Sequence, residues 1–169
     1  MPTIEYRHNF PLAAADVAAV FDASGIRRPT HDLARIARMF ANANLIVSAW
    51  HDGKLVGVCR ALTDFSYCCY LSDLAVDKDY QRHGIGRELV ARVRTAIGEE
   101  VALILLSAPE AMSYYPKVGF EKIENGCSLS NETGKSNLLT PHQTIPCTYS
   151  ITSPSRFRTS QSPGLSTMR

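Results

Sequence analysis

Apolar positions along the chain change period several times, and each change marks an element. Residues 3–8 alternate enough for a short strand, with Ile4 and Tyr6 on one face. From Leu12 the spacing becomes helical: Leu12, Val17, Val20 and Phe21 recur over residues 12–21. Pro11 stands where such a helix can begin and Gly25 where it ends. A second helical face, Leu33, Ile36, Ala37 and Phe40, follows Thr30 and Asp32, either of which can cap it. Residues 45–50 and 54–62 then read as strands joined by Asp52-Gly53, a hairpin turn. Residues 65–76 supply a third strand, buried from Tyr70 onward. After a polar turn at 77–80, Ile85, Leu89, Val93 and Ile97 return to helical spacing, and residues 101–107 are strand-like again.

The junction between the buried strand and the last of these helices carries the candidate chemistry. It reads Gln81-Arg82-His83-Gly84-Ile85-Gly86, followed by Arg87. Gly84 and Gly86 lack a Cβ, so the main chain there can approach a ligand closely. A helix's first turn has unpaired N–H groups and a partial positive charge, which together favour an anion. Arg82, His83 and Arg87 add basic character. Two other phosphate loops are excluded by their motifs: there is no Gly-x-x-x-x-Gly-Lys-Ser/Thr, and no Gly-x-Gly-x-x-Gly with a ribose-binding acid.

The remaining pattern, Gln-x-x-Gly-x-Gly, resembles the pyrophosphate-binding motif of the GCN5-related N-acetyltransferase (GNAT) superfamily. Downstream, Tyr114, Tyr115 and Gly119-Phe120 resemble that superfamily's Tyr-x-x-x-Gly-Phe segment. The resemblance covers about residues 3 to 124 and reaches the superfamily, not the substrate. It implies an α+β fold with a mostly antiparallel central sheet, flanked by helices and splayed between its fourth and fifth strands. Acetyl-CoA is the implied co-substrate. Its pantetheine arm would lie along the edge of residues 70–76, and the cofactor-binding set is Leu74, Ala75, Val76, Gln81, Arg82, His83, Gly84, Ile85, Gly86 and Arg87. An N–H near Leu74 would polarise the thioester carbonyl.

The same resemblance implies direct attack by an amine, with no acyl-enzyme. Tyr115, four residues before Gly119, matches the usual general acid toward the coenzyme A sulfur; Tyr114 is read as its packing neighbour. Asp73 is the only carboxylate inside the central strand, where a charge is costly unless used or satisfied. It is therefore either a proton acceptor or a structural hydrogen-bonder. Alternation sets Asp73 opposite Ser72 and Tyr70 unless a β-bulge re-aims it. A water chain ending on Asp73, Asp64 or Glu110 is the competing route for the amine's proton. Pro109 departs from the asparagine that many members carry there, which removes one side-chain contact to the cofactor. His8, His31 and His51 show no partner in sequence.

Composition narrows the setting. The formal charge of +2 gives no reason to expect a nucleic-acid partner, and no apolar run is long enough for a membrane span. The five cysteines include no Cys-x-x-Cys, and adjacent Cys68 and Cys69 point to opposite faces of a strand, against a shared metal. Reduced thiols, no metal and a cytoplasmic location are expected. A small-molecule amine is the expected acceptor, with a peptide or protein amine second, and a homodimer is compatible with the chain. The alternative is a non-catalytic acyl-CoA-binding regulatory or interaction module.

Residues 1–126 are thus expected to form the catalytic domain, and 127–169 an atypical end. From Thr133 onward there is no Asp or Glu, and Ser, Thr, Pro and Gln dominate. Residues 144–152 are the candidate for a last strand pairing with 120–125, with Pro146 restricting it to an edge. Residues 153–169 are expected to be disordered.

Overall fold

The structure is a computed structural model and describes residues 3–126. Its strands are β1 (Glu5–His8), β2 (Leu45–His51), β3 (Lys54–Thr63), β4 (Cys68–Val76) and β5 (Ala102–Ile104). Its helices are α1 (Ala14–Ser24), α2 (Leu33–Ala41) and α3 (Ile85–Ile97). The sheet runs β1-β2-β3-β4-β5, antiparallel throughout except for the parallel pairing of β4 with β5. This is the mixed α+β, mostly antiparallel arrangement that the sequence leads one to expect.

Local chemistry explains most boundaries. Gly25 ends α1 in the left-handed region at φ 82, returning its N–H to the carbonyls of Phe21 and Asp22. Of the two capping candidates for α2, Asp32 is the one used, its carboxylate accepting the Arg35 N–H at 2.8 Å. Asp52 and Gly53 both take positive φ, as a two-residue hairpin with right-handed twist requires.

The two sheet faces bury different helices. α3 covers one, where Ile85, Leu89, Val93 and Ile97 pack with Val47, Cys59 and Leu71. α1 and α2 cover the other, where Val17, Phe21, Ile36 and Phe40 pack with Val58 and Ala75. Cys69 lies inside and its neighbour Cys68 is exposed, as alternation along a strand demands.

Three expectations need correction. β4 starts at Cys68, because residues 64–67 form a loop in which Phe65 has φ 56 and Asp64 accepts three N–H groups. β5 holds only Ala102–Ile104, not 101–107, since its pairing with β4 stops at Tyr70↔Ile104. The segment around Tyr115 is a 3-10 turn, Tyr115–Val118, preceded by another at Pro109–Ala111. Residues 120–125 are not a strand: a strand needs a ladder partner, and none is present among the described residues. The proposed last strand at 144–152, the tail at 153–169 and the whole segment 127–169 lie outside the described residues.

Candidate active site

The parting of β4 from β5 opens the site. β4 continues to Val76 while its pairing with β5 ends at Tyr70, so residues 71–76 have one edge with no strand beside it among the described residues. Asp77 N–H donates to Val56 C=O on β3 at 2.9 Å. Successive strand residues direct their backbone groups to alternate edges, so Leu74 and Val76 aim theirs away from β3 and into the gap. Gln81 enters the same gap, its Nε2 donating to Val76 C=O at 2.9 Å.

Below this edge the chain turns into α3 through an unusual backbone. Arg82 has φ 66 and Gly84 φ 82, two left-handed residues separated by His83. The first backbone bond of α3 is Glu88 N–H to Gly84 C=O at 3.0 Å. None of the N–H groups of Arg82 through Arg87 finds an acceptor among the described residues. Convergent, unpaired N–H groups at the positive end of a helix form an anion-binding concavity. A Cβ added at Gly84 would meet nothing within 4 Å, so that side of the turn is open.

The turn is braced by its neighbours. Lys54 Nζ donates to the buried Asp77 at 2.9 Å, which holds that carboxyl below its ordinary pKa and ties the β2–β3 hairpin to the turn. His51 Nδ1 lies 3.1 Å from Tyr80 Oη, a partner invisible in the sequence. His83 Nδ1 lies 3.3 Å from Tyr80 C=O, and Arg87 donates to Lys117 C=O at 2.9 Å, so α3 is joined to the Tyr115 turn.

Two tyrosines close the far side. Tyr115 is half-buried, edge-on to Tyr114 and Phe120 at ring distances of 5.5 and 5.6 Å. Burial pushes its phenol above the ordinary value, and Cys59 and Tyr114 add to this against the opposing charge of Arg28. Burial likewise raises Tyr114. The Tyr114 hydroxyl overhangs Gly86: a Cβ there would sit 2.6 Å from it. Cys59, fully buried, has its thiol pushed far above the ordinary range by burial first and by Asp73 and Cys69 next, so it supplies no thiolate.

Asp73 occupies a setting the alternation argument does not anticipate. Arg60 pairs with Asp73 and Ala61 with Leu71, so Ser72 is an extra residue, a bulge. The bulge brings Asp73 to the same side as Ser72, since Arg60 bonds Asp73 Oδ2 through Nε and Ser72 Oγ through Nη2 at 2.6 Å. Arg28 takes Asp73 Oδ1, at 2.5 Å. Asp73 is 1% exposed, and each of its oxygens is held by a guanidinium.

A GNAT acetyltransferase domain model matches residues 17–130, about two thirds of the chain. The chain belongs to the GNAT acetyltransferase family. Among curated relatives, it is 27% identical over 124 residues to probable acetyltransferase TAP2 of Glycine max, covering 66% of this chain and 49% of that one. The chain spans about half the length of the curated relatives it matches. In fold it is similar to a probable acetyltransferase of methicillin-resistant Staphylococcus aureus (TM-score 0.64, 23% identity, 76% and 100% of the two chains). It is also similar to the Escherichia coli GNAT protein YhbS, solved with CoA (TM-score 0.57, 21% identity, 72% and 70%).

Within this GNAT fold the expected residues gather at one place. Leu74, Val76, the turn Gln81–Arg87 and Tyr115 surround the gap, and Ala75 points its side chain into the α1–α2 core instead. Asp64 does not join them as a proton acceptor of equal standing. Asp64 is bonded by the N–H groups of Tyr67, Ser66 and Cys68, which lower its pKa to about 2. Sequence reading missed the bonds of Arg28 and Arg60 to Asp73, Gln81's bond to Val76, and the Tyr114–Gly86 approach. The Ser72 bulge has no pattern signal, and without it the arginines cannot be matched to Asp73.

Proposed function

We propose that this chain is an acetyl-CoA-dependent N-acetyltransferase that passes an acetyl group directly to the primary amine of a small molecule. The observation that carries the reading is the run of N–H groups from Arg82 to Arg87 with no acceptor among the described residues, next to the edge of β4 that has no strand beside it among them. The residues fit the co-substrate: the turn can hold a pyrophosphate, and the backbone of Leu74 and Val76 can pair with an extended amide arm. When bound, acetyl-CoA supplies an activated thioester. The chain itself then contributes in three ways.

Leu74 N–H, aimed into the gap, polarises a carbonyl there as charge builds on its oxygen. Tyr115 holds a proton for the departing sulfur. A phenol raised by burial stays protonated at neutral pH, which suits an acid and disqualifies it as a base. The amine's proton leaves through water, because Asp73 has both oxygens occupied and Asp64 is bound to its own loop. Tyr70 and Arg28 are both half-buried.

Calorimetry with acetyl-CoA tests the first part, comparing the full chain with Gly84→Trp, whose ring would fill the open side of the turn. Binding lost in the variant supports the assignment; no binding by the folded full chain overturns it. Thiol release over a panel of small amines tests the second part. Turnover falling about 10²-fold in Tyr115→Phe, with acetyl-CoA binding kept, fits a lost general acid. A chain that binds acetyl-CoA and releases no thiol with any amine is the non-catalytic module.

A further inference from the structure

The two arginines on Asp73 do more than neutralise it. Arg60 belongs to β3 and is 7% exposed, whereas Arg28 comes from the α1–α2 connection, with its side chain 22% exposed. Arg28 makes three kinds of bond: Nε to Asp73 Oδ1, Nη2 to Ser72 C=O at 2.9 Å, and Nη1 to Arg27 C=O at 2.8 Å. Arg60 adds Ser72 Oγ at 2.6 Å and Met39 C=O at 3.4 Å. Ser72, the extra residue of the bulge, is thus gripped at its carbonyl by one guanidinium and at its hydroxyl by the other. The next residue but one is Leu74, whose N–H faces the gap.

We infer that Arg28 is a positioning residue that sets the β4 bulge, and with it the direction of Leu74 N–H, while fastening the α1–α2 connection to the reacting edge. The inference rests on the reading of the gap as the acetyl-transfer site. A planar fork suits this role. Arg28 spans a carboxylate oxygen and a carbonyl one residue apart, and a lysine at that position can satisfy only one of them in register. The position also makes a clean probe. Removing Arg28 leaves Asp73 and Arg60 as a neutral buried pair, so no uncompensated charge is stranded in the core.

The test compares the full chain with Arg28→Met and Arg28→Lys, reading hydrogen exchange over residues 71–75, acetyl-CoA binding, and kcat and KM in thiol release. The expected result in Arg28→Met is exchange about tenfold faster at these amides, acetyl-CoA affinity within about twofold of wild type, and kcat lower by about tenfold. Arg28→Lys is expected to fall between. Unchanged exchange and unchanged kcat in Arg28→Met overturn the inference, as does a kcat loss matched by an equal loss of acetyl-CoA binding. If the wild-type chain releases no thiol at all, the proposed function fails by itself. The exchange measurement still decides the clamp: faster exchange upholds it and unchanged exchange removes it.

Discussion

The hydroxyl of Tyr114 overhangs Gly86 so closely that a Cβ built on the glycine would lie 2.6 Å from the oxygen. Gly86 is inside α3 with ordinary helical φ, so backbone strain does not demand glycine there. Space does. Gly86→Ala is favoured as a helix residue by about 1 kcal/mol, yet it forces the Tyr114 ring off the mouth of the anion turn. The fold is expected to persist while the acetyl-CoA Kd rises about tenfold, or 1.4 kcal/mol. Gly86→Ala with Tyr114→Phe removes the colliding oxygen and should recover most of that loss, a non-additive pair by calorimetry. Equal binding by Gly86→Ala and wild type would show that the close approach is not used.

Asp64 gives a prediction with a definite pH sign. Three loop N–H groups hold its carboxyl at about 2, below the ordinary 3.8. A lowered folded-state pKa contributes stability that is present above the unfolded value and lost as pH falls through the folded one. The difference in Tm between wild type and Asp64→Asn should therefore be constant from neutral pH down to about 4 and shrink between about 4 and 2. A difference that holds steady to pH 2 would mean the loop bonds do not depend on the ionised carboxylate. Since the loop carries Phe65 at positive φ, its loss should show first as exchange of residues 65–68.

How far the sequence carries can be traced through particular residues. The hairpin at Asp52-Gly53, the cap at Asp32 and the stripe of Ile85, Leu89, Val93 and Ile97 depend on neighbours within a turn or two, and local pattern reports them. The turn Gln81–Gly86 is legible for the same reason, since its function depends on which residues lack a side chain. Asp73 is different. Its surroundings depend on a register shift of one residue against β3 and on a loop 45 positions earlier, neither of which leaves a periodic trace. The pairing of His51 with Tyr80 and the end of β5 at Ile104 are also set by tertiary contact. Residues 120–125, Phe-Glu-Lys-Ile-Glu-Asn, do not alternate, and strand formation needs a partner that local sequence cannot supply.

The two roles available to Asp73 separate in a single variant. If it were the base, Asp73→Asn would abolish transfer and leave stability nearly intact, because asparagine keeps the shape and one acceptor oxygen. If it is the anion of the clamp, the variant leaves Arg28 and Arg60 facing each other with no countercharge, one of them almost wholly buried. Removing one partner from a buried ionic group costs about 3 kcal/mol or more, so urea denaturation of Asp73→Asn should show a midpoint well below wild type with the slope unchanged. Adding Arg28→Met to Asp73→Asn removes one of the two stranded cations. The double variant should then be more stable than Asp73→Asn alone, even though each substitution deletes a bond. A repulsive pair makes that prediction and a catalytic base does not. A double variant no more stable than Asp73→Asn, with the single variant at wild-type stability and devoid of turnover, would return Asp73 to the role of proton acceptor.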